Sequence, residues 1–373
     1  MLLRGRLSVA PAPVSIAVSI LAGREVELRD GDLDALLAVP SDRWMPLADA
    51  GEPERLQRLA FCGLLVSDEP DDRLVELRRR DEQLDAHGWH LYAALYHSLT
   101  RRLDTDLDLA EDMDERRRAK ARTAVERRTA RGGPPPPPFH RTPLARSVHD
   151  LPLDGPDGAF FDLLRRRRTV RGFEPDAAMT TEQLSTILRT VFGSQGLIDH
   201  GNGYVLQKKT SPSGGALHPI EAYPLIRRVE GFEPGLYHYD VERHALALIE
   251  PLDEAAASEY LRFATCGQAH FRHAQVAFVL TARFRRNFWK YWMQKDQYGV
   301  LLLDAGHLSQ TLFLVATELG LGAFVTAVIN HDDLGARLGL ERYDEGALAV
   351  CGCGVAGQSR LVPQFTPFVP RRD

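Results

Sequence analysis

The segment Lys209-Thr210-Ser211-Pro212-Ser213-Gly214-Gly215-Ala216-Leu217-His218-Pro219-Ile220-Glu221-Ala222-Tyr223 has the composition of a backbone shaped to touch a ligand. Pro212 and Pro219 bracket a turn in which Gly214 and Gly215 are free to take positive φ, so amide groups can turn inward and approach a flat or anionic group closely. Ser211 and Ser213 add short hydroxyl donors, and the chain then enters a buried segment. Taken alone, the same letters also suit an ordinary tight loop leading into a strand. A second stretch favours the ligand-facing reading.

About forty residues earlier stands Arg165-Arg166-Arg167-Arg168-Thr169-Val170-Arg171-Gly172-Phe173, a basic cluster that passes directly into an apolar anchor. The planar fork of arginine suits a bidentate grip on phosphate oxygens. A solvated charge run is the competing description. Such a run has no use for Thr169, Val170 and Phe173 at this spacing.

Together the two stretches resemble the flavin-dependent nitroreductase superfamily, in which an Arg-Arg-Ser/Thr-x-Arg-x-Phe segment and a Pro-Ser-rich segment hold FMN. The form Pro-Ser-Gly-Gly-Ala-Leu-His-Pro-x-Glu-x-Tyr, with Gly235-Leu236-Tyr237-His238-Tyr239-Asp240 after it, is similar to one branch, the azoline-oxidising, SagB-type dehydrogenases that mature ribosomally made peptides. The resemblance spans roughly residues 150 to 360. It implies an α+β fold: a mainly antiparallel sheet flanked by helices, built as an intertwined homodimer with FMN at the interface. It implies further that Arg167, Arg168 and Arg171 hold phosphate or ribityl groups and the N1/O2 edge, with Thr169 adding a hydroxyl. Pro212, Ser213, Gly214, Gly215, Ala216 and Leu217 would follow the isoalloxazine, and the backbone of Ala327 and Val328 would approach the ring.

Candidate catalytic groups lie between Arg283 and Tyr298. Lys290 and Tyr291 put an amine beside a phenol in a segment whose aromatic residues could desolvate both, which lowers a lysine's pKa and makes it a usable base. In the resembled branch a Lys-Tyr pair implicated in catalysis precedes an Asp-x-Gly-His helix, here Asp304-Ala305-Gly306-His307. The spacer departs from that branch: Trp292-Met293-Gln294-Lys295-Asp296-Gln297 replaces a more arginine-rich run, which leaves substrate and reaction direction open.

With 373 residues, two units are expected, and 44% hydrophobic with 26% charged residues is a globular composition. A net charge of -5 argues against a general nucleic-acid binder. Cys62, Cys266, Cys351 and Cys353 are too scattered for a disulfide framework, which suits a cytoplasmic enzyme, and Cys351-Gly-Cys353 lacks the spacing and second pair of a metal site. No metal is expected. No apolar run approaches the length of a bilayer crossing without polar interruption, so no membrane partner is expected either. Gly352-Cys353-Gly354-Val355-Ala356-Gly357 fits a dinucleotide fingerprint in letters only, because too little chain follows it to form a βαβ unit.

Residues 1–75 read as strand or hairpin, a helix over Leu33 to Val39, a second helix from Glu52 to Phe61 stopped by Gly63, and a closing strand or wing at Leu64 to Val66. That order suggests a winged-helix-like unit, for which the resemblance offers recognition of a precursor's leader; a dimerisation or packing role is equally compatible. Residues 76–143 read as helices interrupted near Gly88, a charged arm from Glu111 to Arg131, and a stiff spacer at Pro134 to Pro138. The catalytic unit would then occupy residues 144–373. The functional expectation is an FMN-dependent oxidoreductase acting on a precursor peptide alongside peptide-modifying partners, either dehydrogenating an azoline or reducing a dehydroamino acid. An NAD(P)H-dependent nitro or quinone reductase, a non-catalytic scaffold and a DNA-binding regulator are the alternatives.

Overall fold

The computed structural model describes residues 15–107, 123, 125–139, 142–152 and 155–357; most of the charged arm lies outside them. Its centre is a six-stranded sheet. We number the strands β1 (Ser15–Ser19), β2 (Arg24–Leu28), β3 (Gly196–Asp199), β4 (Val205–Lys208), β5 (Ile220–Ile226), β6 (Gly235–Asp240), β7 (Ala245–Pro251), β8 (Val276–Arg283), β9 (Gly322–Thr326) and β10 (Glu345–Gly354). The sheet order is β7-β6-β5-β8-β10-β9, and every pairing in it is antiparallel.

Strand β8 shows why the sheet lies in the middle of the molecule. Its sequence Val-Ala-Phe-Val-Leu-Thr-Ala-Arg is buried at every position but the last, as expected for a central strand covered on both faces. Alternate residues divide between two cores: Val276, Phe278, Leu280 and Ala282 face one, Ala277 and Val279 the other. Truncating the fully buried Phe278 to alanine would cost about 3–5 kcal/mol.

The helices are α1 (Asp32–Ala38), α2 (Pro53–Phe61), α3 (Asp72–Ala86), α4 (Leu91–Leu99), α5 (Ala159–Arg166), α6 (Thr181–Ile187), α7 (Glu254–Ala264), α8 (Phe284–Phe288), α9 (Gln297–Glu318) and α10 (His331–Arg337). The long helix α9 covers the first core with Leu301, Ala305, Leu308 and Leu312, while α7 covers the second with Ala257, Tyr260 and Leu261. Helix α6 starts on the capping box read from Thr180 and Gln183, then widens into a π-turn over Leu188–Phe192 before Gly193.

Several expectations are corrected. Leu64 to Val66 form no strand, so the N-terminal unit is a hairpin followed by helices, with a small core of Leu21, Ala60, Leu74 and Leu77. After Gly193 the chain makes the unforeseen hairpin β3–β4, whose tip bends through positive φ at Gly201, Asn202 and Gly203. Strand β9 stops at Thr326, so Ala327 and Val328 lie just past its end. Helix α9 does reach the length and apolarity of a membrane span. In the fold its buried face carries Asp304 as well as leucines.

The helical stretch after the N-terminal unit contributes to the larger core. The chain breaks at Gly88, φ 67°, and Trp89 then enters the first core among Phe284, Phe288 and Tyr343. Its indole Nε1 donates to the Tyr343 carbonyl at 3.1 Å, which satisfies the ring's one polar atom on burial.

Candidate functional site

The Ser-Gly-Gly loop is fixed by a buried carboxylate. Asp304 of α9 is 3% exposed, and it accepts from the Ser213 hydroxyl at 2.5 Å and from the Gly214 amide at 3.1 Å. Ser213 Oγ in turn accepts from the His218 amide at 2.9 Å, so hydroxyl, amide and carboxylate close the turn on itself. Burial pushes the Asp304 carboxyl pKa up, and the two hydrogen bonds partly oppose that rise. One turn further along α9, His307 Nδ1 donates to the Pro212 carbonyl at 3.2 Å, and Thr311 meets Ser211 at 2.5 Å. Gly215 takes φ 64° as foreseen, but Gly214 does not take positive φ; the left-handed backbone continues instead at Ala216, φ 56°.

Lys290 and Tyr291 lie against this loop. A Cβ at Gly215 would sit 2.6 Å from Lys290 Nζ, and one at Gly214 would sit 3.4 Å from the Tyr291 hydroxyl and collide with Val300. Bare glycine backbone therefore lets amine and phenol approach the turn. Lys290 itself is exposed, so the aromatics of its own segment do not desolvate it as expected. The Lys290 segment is anchored from the N-terminal side: Met293 N and the buried Gln297 Nε2 both donate to the Gly88 carbonyl at 3.2 Å, and a Cβ at Gly88 would run into the Trp292 ring.

The lysine that begins the loop was not foreseen as functional. Lys209 is 9% exposed and its Nζ donates to the Phe192 carbonyl at 2.6 Å; burial pulls its pKa down, with the Glu221 charge opposing. The neighbouring His218 is lowered to about 4 by burial, then by the Lys209 charge. The only sequence signal for this lysine was its place before a turn and a strand.

The arginine segment forms a second, separate half. Thr169 pairs in parallel with Ala323 of β9, and Val170 N donates to the Ala323 carbonyl at 2.8 Å. This extends the sheet edge beside β9, at whose far end Ala327 and Val328 follow. Gln268 Nε2 holds the Val328 carbonyl at 3.1 Å. The Arg167 guanidinium lies over the Phe313 ring, 5.3 Å from its centroid, and Arg168 is exposed. Phe313 and Asp304 stand nine residues apart on α9, which at about 100° per residue puts them on opposite sides of the helix. The single chain therefore gathers Pro212, Ser213, Gly214, Gly215, Ala216 and Leu217 with Lys290 and Tyr291. It sets Arg167, Arg168, Thr169 and Arg171 beside the start of β9, with Ala327 and Val328 following that strand's other end. It does not bring the two groups together.

The donor chemistry fits a flat anionic cofactor in two parts: guanidinium groups on one side, and a side-chain-free turn with an ammonium against it on the other. Among the described residues, no group of three or more His, Cys, Asp or Glu could hold a metal ion.

Comparison with known proteins identifies the family. Residues 164–355 match the model of the nitroreductase family. A protein named as a nitroreductase in Methanocaldococcus jannaschii, MJ1384, is 32% identical over 182 residues, which is 49% of this chain and 85% of that protein. The trifolitoxin-processing protein TfxB of Rhizobium leguminosarum bv. trifolii is 28% identical over 215 residues, covering 57% of each chain. Among solved structures, the E. coli microcin synthetase McbBCD complex with truncated pro-MccB17 bound shares the fold at a TM-score of 0.50 and 18% identity, over 78% of this chain and 99% of that one. With a family model covering more than half of its residues, the chain belongs to the nitroreductase family.

Proposed function

We propose that this chain is an FMN-dependent oxidoreductase that acts on a ribosomally synthesised precursor peptide, removing two hydrogens from an azoline ring or, in the opposite direction, reducing a dehydroamino acid. The observation that carries the proposal is the convergence of Lys290 and Tyr291 on the Gly214-Gly215 turn, residues about 75 apart in sequence. Support for the peptide comes from the likeness to TfxB, named for trifolitoxin processing, and from the shared fold with a microcin synthetase complex.

In this reading Arg167, Arg168 and Arg171 hold the cofactor's phosphate and ribityl groups, with Thr169 as a hydroxyl partner, while Pro212 to Leu217 and the backbone of Ala327 and Val328 border its ring. FMN supplies acceptance or delivery of a hydride. Lys290 or Tyr291 takes the ring proton in the oxidative direction, so the substrate loses one hydride and one proton and gains an aromatic azole. Asp304 would hold the turn that borders the cofactor in place through Ser213 and Gly214. Because the two halves occupy opposite sides of α9, the complete site is assembled from two copies. The exposed Leu302 and Leu303 of α9, 42% and 63% accessible, supply apolar surface for that contact.

The N-terminal unit, to about residue 75, serves leader recognition. An apolar cavity of about 470 Å³ lined by Trp44, Leu47, Leu56 and Leu74 supports that role. The setting is cytoplasmic, in keeping with four free cysteines, and peptide-modifying enzymes are the partners.

The deciding experiment is the absorption spectrum of the purified protein with mass identification of what denaturation releases. A yellow protein that releases FMN and oxidises or reduces a candidate precursor agrees with the proposal. A protein that stays colourless with added FMN overturns it and favours the scaffold reading. Rapid turnover of nitroarenes or quinones with NAD(P)H, without action on any peptide, favours the simple reductase.

A further inference from the structure

Next to Lys290 lies a cleft that the reaction chemistry does not use. It encloses about 440 Å³ between the tip of the β3–β4 hairpin, with Tyr204, and the end of β8 with helix α8, which bring Arg283, Arg285, Arg286 and Trp289. Arg283 is compensated by Glu221 at 3.2 Å. Arg286 donates to two carbonyls, Leu217 at 3.1 Å and Val205 at 2.5 Å, so its charge binds hairpin and Ser-Gly-Gly loop together without being neutralised. Arg285 is exposed, and among the described residues no ion pair neutralises Arg285 or Arg286. The one acid on the rim, Asp344, is engaged by His87 Nδ1 at 2.9 Å. The rings of Tyr204 and Trp289 stand 5.0 Å apart, and Trp289 is 58% exposed.

We infer that this cleft docks an acidic, extended stretch of the substrate peptide and so feeds the reacting residue to Lys290, the very next residue after Trp289. The inference rests on the peptide reading above and specifies the substrate class. Arg285 and Arg286 outweigh the single rim carboxylate of Asp344 and call for carboxylates, while the touching rings of Tyr204 and Trp289 present one apolar face to the side chains beside them. The tip of the β3–β4 hairpin forms one wall; Arg286 takes the Val205 carbonyl on the β4 side, whereas β3, among the described residues, pairs only with β4 and leaves its exposed outer edge to an extended peptide leaving the cleft. The rings, tilted at 47°, do not form the parallel slot that would sandwich a nucleotide base.

The test uses the full chain and fluorescence anisotropy with a rhodamine-labelled peptide of alternating glutamate and valine, its glutamine counterpart, and NADPH as competitor. Arg285→Glu is the main variant, because Arg285 is exposed and its loss leaves the fold intact; Trp289→Ala is the second. The glutamate peptide should bind in preference to the glutamine one, weaken with salt, and lose at least about fivefold in affinity in Arg285→Glu. Equal binding of the two peptides, or no loss in Arg285→Glu, overturns the inference. So does binding of NADPH, but not peptide, that is lost in Arg285→Glu. Flavin content read on the same samples separates the two levels. A colourless protein that still discriminates the peptides sinks the oxidoreductase reading and keeps the cleft; a yellow protein that does not discriminate sinks the cleft alone.

Discussion

The two stretches proposed to face the cofactor are held in opposite ways. The Ser-Gly-Gly loop is closed from within: a buried aspartate takes its hydroxyl and its amide, a histidine takes its carbonyl, and glycine backbone admits Lys290 and Tyr291. The arginine segment is tied to β9 through backbone at Thr169 and Val170; Arg168 is exposed, Arg167 lies over Phe313 and Arg171 is half-buried. One half is preorganised by its own chain. In the proposed reading the other is completed by the anion it receives. Preorganisation of groups at a reacting centre lowers the cost of reaching the transition state, whereas a cationic edge gains most of its order from the anion it receives.

Breaking the closed half at its chemistry should have the largest effect. Lys290→Ala should lower turnover by about 10²–10⁴-fold while flavin content stays at the wild-type level, read by single-turnover kinetics on flavin absorbance. A mutant that turns over normally would remove Lys290 from the reaction and leave Tyr291 as the candidate.

Breaking the same half at its support should come next. Asp304→Ala strands the Ser213 hydroxyl and the Gly214 amide beside a cavity, at a cost of about 2–4 kcal/mol in denaturant unfolding. Asp304→Asn, which keeps one acceptor, should recover part of that loss. Equal stability of all three proteins would show that the loop does not depend on its clamp.

On the open half, Arg168→Ala should weaken FMN binding about tenfold by flavin fluorescence titration and leave the unfolding midpoint of the flavin-free protein unchanged. A drop in flavin-free stability instead would mean that the segment is structural.

The smallest effect concerns pH. His218 beside the closed half and His331 under the docked α4 segment are both lowered to about 4 from 6.5, mainly by burial. Between those values the unfolded chain binds protons that the folded one refuses. Their contribution to stability is full above pH 6.5 and is lost as pH falls toward 4. Asp304, whose carboxyl is raised by burial, works in the other direction at the acid end, because there the folded state takes up the proton first. The thermal midpoint should therefore decline from pH 7 to 4, and His218→Gln should flatten the slope. An unchanged slope would remove His218 from the balance.

The sequence by itself determined the pieces whose signals are local. The capping box at Thr180, the left-handed turn at Gly215, the break at Gly88 and the apolar run of β8 are written in short-range sterics and hydrophobic patterning, and each forms where those rules put it. The family was legible because the arginine segment and the Ser-Gly-Gly loop carry their chemistry in contiguous residues. Tertiary structure decided what depends on distant partners. The turn at Gly193 could lead into a loop or a hairpin, and β3–β4 forms a two-stranded pair whose short strands carry little pattern. Asp304 read as part of a helix motif, yet its work is done on a loop ninety residues away, which no periodicity encodes. Gln297 and Gly88 join the Lys290 segment to the N-terminal helices through a buried amide and a missing side chain, features that acquire meaning only once the chain has packed. The separation of the two halves across α9 likewise follows from where the sheet edge and the loop meet that helix, because a linear motif states which groups are present and not which side of a helix they face.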